Sequence, residues 1–388
     1  MRRHLILAVA AGLLWGAPAW ADALLLSAND GLQRFDNGAY VMRPHPGLGT
    51  LSAFRLDAGA LQPLWHVAVE QTAVGPPTAL AVAPGNRLAL IANPAILDPS
   101  DRDKIRREDD LQVVPLSGSS HDVGHVPLNH HPWSVAIAPD GRLAATANGD
   151  GTVTLLRIAG ETVTVIRDIT VGTPTSLDTG VAFSKDGRYM LVSRRHDDVV
   201  TLFRIDGDAG SPVRDLTVGS NPYEIVTSPD GRLVAVSNIG RNSGDRDSIS
   251  LIDLRADPVR TVGIFSVAPT PEGLAFSADG RWLAVNSING SNLKRESPFH
   301  SDHSLIQLFA LRGDAAQQVG TAEVGANAQG LAFSPDGSRL VVQDYATDAL
   351  LTFSFGDDGL HASGVPVPVE GGPSALAIVP QPSGAENN

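Results

Sequence analysis

The segment Ser-Pro-Asp-Gly-Arg-Leu-Val-Ala-Val-Ser-Asn at 228–238 returns in variant form along most of the chain, and this recurrence restricts the possible folds more than any other feature. The copies are AVAPGNRLALIAN (81–93), AIAPDGRLAATAN (136–148), AFSKDGRYMLVSR (182–194), TSPDGRLVAVSN (227–238), AFSADGRWLAVNS (275–287) and AFSPDGSRLVVQD (332–344). Their units start about 44 to 57 residues apart, the spacing of propeller blades. Each copy is an apolar alternating segment, a Pro-Asp-Gly type turn and a second segment rich in Val, Leu and Ala. That is the pattern of a tight β-hairpin.

Two further strands follow each hairpin, as in Thr152 to Ile158 and Thr162 to Ile169, so a unit is a four-stranded antiparallel blade. First strands start near Thr78, Trp133, Thr179, Tyr223, Glu272, Gln329 and Ser374, but the last, SALAIVP (374–380), has no strands after it. The missing three are expected at the other end, at 23–29, 50–56 and 61–69. A C-terminal strand completing the N-terminal blade would close the ring and remove the open sheet edge. The fold class is therefore all-β: one seven-bladed β-propeller over 22–380, with 381–388 as a disordered tail. A repeat architecture also explains how 388 residues need no second domain, because each sheet packs only on its neighbours.

Residues 1–21 combine Arg2 and Arg3, an apolar run from Leu5 to Leu14, and Ala19-Trp20-Ala21, which is the plan of a cleavable signal peptide. The expected location is periplasmic or secreted, without membrane insertion. With no cysteine, the chain has neither disulfides nor thiolate chemistry. Loss of Arg2 and Arg3 would leave 27 basic against 42 acidic residues, a net −15, which argues against nucleic acid as a partner.

Repetition also separates scaffold from site. The Asp-Gly turns, shared by the blades, define one face of the ring. The long insertions at 30–49, 93–110, 239–248 and 288–304 must fall on the opposite face, where loops of this length are commonly functional. The run Asp101 to Asp110 itself has the composition of a solvated loop.

The ends of the second strands are Asn29, Asn93, Asn148, Arg194, Asn238, Ser287 and Asp344. The asparagines read as turn formers, so Arg194, which opens Arg194-Arg195-His196, and Asp344, followed by Tyr345, are the departures. Arg194 fits either a structural ion pair or an anion contact. Among the positions after the first-strand starts, Glu224 alone is large and charged; it must reach the channel or pair with a loop cation such as Arg241. Trp133, preceded by His130 and His131, and Tyr223 could wall a pocket or simply pack.

The pattern Pro-x-x-Φ-Ala-Φ-Ser-Pro-Asp-Gly with a Val-x-Asn strand end resembles the YVTN-type and lactonase-like seven-bladed propellers over nearly the whole mature chain. Propellers of this kind serve as lactonases, electron-transfer subunits, binding proteins and assembly scaffolds. The leading functional expectation is a binding or scaffold protein, with Trp133, Tyr223, Arg195, Asp344, Tyr345 and His131 as ligand contacts and a protein or small molecule as partner. Lactone ring opening is the alternative the resemblance implies. Glu224 or Glu272 would then be the base, with Arg194, Arg195 or His196 on the cationic side. The family's His, Arg and Glu constellation does not map residue by residue onto these blades.

No cofactor is expected. A Ca²⁺ site would need oxygens from Glu224, Glu272, Asn148, Asn238, Asn286 and Asp344 to converge. His121, His125, His130 and His131 lie on a segment that reads as strand or loop, which favours scattered histidines over a zinc or copper site.

Overall fold

The computed structural model describes residues 23–57, 60–75, 77–118 and 120–380. The expected signal segment and C-terminal tail lie outside the described residues. Seven four-layered antiparallel blades are present, the outer strand of the last being split into Gly359–Ala362 and Val367–Pro368, and the first strand of each is a sheet edge. Blade 1 orders its strands Gly372–Pro380, Ala23–Asp30, Gly49–Asp57 and Ala60–Val69. The C-terminal strand pairs antiparallel with Ala23–Asp30, setting Ala28 opposite Ala375, and so closes the seam as expected. First strands of the other blades are Leu80–Val82, Pro132–Ile137, Asp178–Phe183, Pro222–Thr227, Pro271–Phe276 and Leu331–Phe333, for blades 2 to 7. These strands touch in sequence around a complete circuit, which makes them the wall of the central channel.

The repeated residues have local jobs. In four hairpins the turn serine donates to the turn aspartate at 2.5 to 2.7 Å: Ser184 to Asp186, Ser228 to Asp230, Ser277 to Asp279 and Ser334 to Asp336. The glycine that follows sits in the left-handed region, for example Gly231 at φ 71° and Gly280 at φ 70°, where a Cβ would be strained.

The asparagines at second-strand ends do more than form turns. Asn29, Asn148 and Asn238 are buried and donate across to paired hydroxyls at the start of the third strand: Thr50 and Ser52, Thr152 and Thr154, Ser248 and Ser250, at 2.9 to 3.2 Å. Each clasp satisfies a buried amide and pins strand two to strand three.

The core lies between blades, where apolar faces interdigitate. Blades 4 and 5 meet through Leu191, Leu202, Val234 and Val236, each at most 2% exposed. Burial of one such side chain contributes about 1.5–3 kcal/mol.

Two of the insertions form hairpins. Residues 33–42 form the hairpin Gln33–Asp36 with Ala39–Met42, and residues 95–107 form Ala95–Asp98 with Asp101–Arg107. The expectation of a solvated loop at 101–110 is thus corrected in part: Arg102, Asp103 and Lys104 are exposed, but the segment is a strand and its end, Arg107, turns inward. At the tip of the first hairpin, Asn37 Oδ1 accepts from the Arg295 N–H at 2.9 Å, which ties it to the 288–304 insertion.

Candidate functional site at the loop-side mouth

Two arginines reach the mouth of the channel from different elements. Arg107, the last residue of the second insertion hairpin, places its guanidinium 4.4 Å over the Trp133 ring. Its Nη1 donates to Asn93 Oδ1 at 3.1 Å and to His131 Nε2 at 3.2 Å, and its Nη2 donates to the Val74 carbonyl at 3.0 Å. His131 is oriented by its Nδ1, which donates to the Glu108 carbonyl at 2.7 Å. Burial, and beyond it the neighbouring Arg107 charge, push its pKa down to about 4, so the imidazole is neutral near pH 7. A Cβ at Gly149 would collide with the Trp133 indole nitrogen, so the glycine after the Asn148 clasp makes room for this ring.

Arg195 opens the short 3₁₀ turn Arg195–Asp197 after blade 4's second strand, and its guanidinium stands 5.5 Å from the Tyr223 ring centre. Among the described residues neither Arg107 nor Arg195 has a carboxylate within 4.0 Å, whereas the half-buried Arg43, Arg194 and Arg232 are each paired with an aspartate. Both charges act on the Tyr223 hydroxyl, which burial otherwise holds far above the ordinary tyrosine range.

Glu272 faces the same place. Burial pushes its pKa up to about 7, while the Arg195 charge and the Gln329 side chain hold it from rising further. Tyr40, from the first insertion hairpin, feels the Glu272 charge, and its hydroxyl accepts from Asn327 Nδ2 at 2.8 Å, leaving its own proton free to donate. Tyr345 packs edge-on to Tyr40 at 5.6 Å, but it is 1% exposed and its hydroxyl donates to the Gln33 carbonyl at 2.9 Å.

The structure therefore brings Trp133, His131, Tyr223, Arg195 and Glu272 together, and adds Arg107 and Tyr40. Other expected residues go elsewhere. Arg194 is held by Asp197 at 2.5 Å and Asp215 at 3.0 Å, the ion-pair reading of that residue. His196 is exposed, with Nδ1 on the Thr175 carbonyl. Asp344 accepts from the Gly325 N–H at 3.1 Å and Tyr345 is a packing residue. Glu224 does not meet Arg241; its Oε2 accepts from the Leu274 N–H of the next blade at 2.6 Å, and it lines a cavity in the channel.

Among the described residues no three His, Asp or Glu side chains converge as metal ligands. Asn148, Asn238 and Asn286 use their amide nitrogens within the scaffold, Asn286 donating to the Ala328 and Gln329 carbonyls at 2.6 and 2.7 Å. His125 and His130 are each engaged by a separate aspartate, Asp110 and Asp150. Arg107 and Tyr40 were missed in sequence because each belongs to an insertion with no counterpart in the other blades. The signal that could have found Arg107 is its place at the end of an alternating charged run.

Residues 121–155 match the WD domain, G-beta repeat family. No curated protein matches the chain. Among solved structures, a candidate 6-phosphogluconolactonase of Bacteroides uniformis is similar at TM-score 0.72 and 15% identity, covering 92% of this chain and 100% of that one. The periplasmic gluconolactonase PpgL of Pseudomonas aeruginosa is similar at TM-score 0.66 and 20% identity, covering 93% and 100%. Hydrazine synthase of Kuenenia stuttgartiensis has TM-score 0.60 and 17% identity over 80% and 91%. Blade topology and comparisons agree on the architecture: the chain is a seven-bladed β-propeller with the fold of lactonase-like propellers.

Proposed function

We propose that the protein is a periplasmic binding protein for a small organic anion of the sugar-acid class, held at the loop-side mouth. The observation that carries this reading is the pair Arg107 and Arg195: two guanidiniums over aromatic rings, neither in direct ion-pair contact with a carboxylate among the described residues. A ligand carboxylate would supply the missing charge, with charge-assisted hydrogen bonds. The Tyr40 and Tyr223 hydroxyls suit the hydroxyls of a polyol chain, and Trp133 offers a flat apolar wall. The N-terminal Arg and apolar run, and the periplasmic description of PpgL, support the location. A thermal-shift panel of gluconate, 6-phosphogluconate, succinate and glucose tests it. Sugar acids should raise the melting temperature and glucose should not; a flat panel would redirect the search to a protein partner.

One observation favours a second reading, lactone hydrolysis: Glu272, with its pKa near 7, acts beside the Arg195 charge. Glu272 would take a proton from the attacking water and return it to the ring oxygen as the acyl C–O bond breaks. Arg195 would stabilise the oxyanion. Proton release from glucono-δ-lactone, followed in a pH-stat against the uncatalysed rate, decides between binding alone and turnover.

A further inference from the structure

A second cavity, of about 350 Å³, lies in the channel and reaches the Asp-Gly turn side, where Pro229 and Ala278 form part of its rim. Its wall is largely apolar and comes from several blades, with Leu80, Val226, Leu274, Leu331, Leu376 and Ile378 contributing. Glu224 is the one charged residue among those that line it, and Glu224 is 5% exposed.

The two oxygens of this carboxyl differ. Oε2 is committed to the Leu274 N–H at 2.6 Å, a bond that crosses from blade 5 to blade 6. Oε1 receives no hydrogen bond from any described residue, and no Lys, Arg or His lines the cavity. An ionised carboxylate left in such a wall without a cation is costly, so the group keeps its proton. Burial drives its pKa well above the carboxylic range, with the Glu272 charge adding to the rise. With Oε2 accepting, the proton belongs on Oε1, which becomes a hydroxyl donor in an apolar chamber. The Thr78 hydroxyl in the same wall also lacks a partner among the described residues.

We infer that the turn-side channel is a second binding site, separate from the anion site at the mouth, for a small neutral apolar molecule bearing a carbonyl acceptor that takes the Glu224 hydrogen. A cationic ligand would have to expel this proton and shed its own hydration in an apolar wall. An anionic ligand would meet no positive charge there.

The test uses three probes with one tail and different heads, 2-octanone, octylamine and octanoate, titrated calorimetrically into the full chain at pH 7. The ketone should bind saturably and the other two at least tenfold more weakly. Glu224→Gln preserves both an acceptor for Leu274 N–H and a donor toward the cavity, so it should keep ketone affinity within about threefold. Glu224→Leu should lose at least tenfold. Ala332→Trp, which fills the chamber from its wall, should abolish ketone binding and keeps the test decisive if the Leu variant fails to fold. Preferential binding of octylamine lost in Glu224→Gln, unchanged ketone affinity in Glu224→Leu or in Ala332→Trp, or no ketone binding to the native chain, would each overturn the inference.

Discussion

Arg107 lies 4.4 Å over the face of Trp133, although 26 positions separate them and they belong to different blades' segments. The guanidinium is fixed there by Asn93, His131 and the Val74 carbonyl, so it is part of the scaffold as well as of the mouth. Arg195 stands over Tyr223 without any side-chain hydrogen bond from the described residues, and its Nε is buried and unpartnered.

This contrast predicts different costs for the two arginines. Arg107→Met should destabilise the fold by about 1–3 kcal/mol, because it leaves buried acceptors unsatisfied. Arg195→Met should leave stability within about 0.5 kcal/mol or raise it. Urea denaturation of the two variants checks the difference, and equal losses would mean that Arg195 has a structural partner.

The raised pKa of Glu272 gives the mouth a pH response. Near pH 6 Glu272 is largely protonated and leaves Arg195 free for an anion; as pH rises through about 7 it ionises and competes. Gluconate affinity should therefore fall between pH 6 and 8, by about threefold to tenfold, and Glu272→Gln should flatten the dependence. A base role predicts the opposite trend for lactone hydrolysis, a rate that rises through pH 7 and disappears in the Gln variant.

Asp178 occupies the position that is proline in several other blades, such as Pro132, Pro222 and Pro271. It is fully buried, neither carboxyl oxygen has a hydrogen-bond partner among the described residues, and burial pushes its pKa up to about 8 against the pull of Arg194. The native state then binds a proton that the unfolded chain releases near pH 4. The associated stability is complete below that value and is lost as pH rises toward 8. Asp178→Asn should reduce this decline and stabilise the protein at pH 8 by about 1–3 kcal/mol. Melting temperatures of both proteins from pH 5 to 8.5 check it; parallel curves would show that Asp178 is ionised in the native state.

Closure of the ring rests on Gly372–Pro380. Removal of residues 372–388 would leave Ala23–Asp30 as an unpaired edge of leucines and alanines, a template for association. The truncated chain should aggregate or melt at much lower temperature, and a separate peptide of residues 372–380 should restore part of the stability. Size-exclusion chromatography reads the outcome.

The blades were legible because their signal is repeated: alternating apolar residues survive in six copies, five of them with an Asp-Gly turn, and the seam followed from counting strands. The asparagine clasps were only half legible, since Asn148 reads as a turn former until the Thr152 and Thr154 hydroxyls are seen across from it. At the mouth, Trp133, Tyr223 and Glu272 could be found at the starts of first strands, where the repeat brings them to one end of the ring. Arg107 and Tyr40 could not, because an insertion has no internal copies to compare with and its fold decides which side chain turns inward. Glu224 stood out as the one large charged residue at its repeat position, but sequence left open whether it would reach the channel or pair with a loop cation, and did not foresee the Leu274 N–H that meets it.

The central claim is that Arg107 and Arg195 hold an organic anion at the mouth, and calorimetric titration of gluconate at pH 6 tests it most directly in the native chain and in Arg195→Met. The account predicts saturable one-to-one binding to the native chain and at least a tenfold loss in the variant with unchanged melting temperature. Equal affinity in the two proteins, or no heat of binding in either, would contradict it.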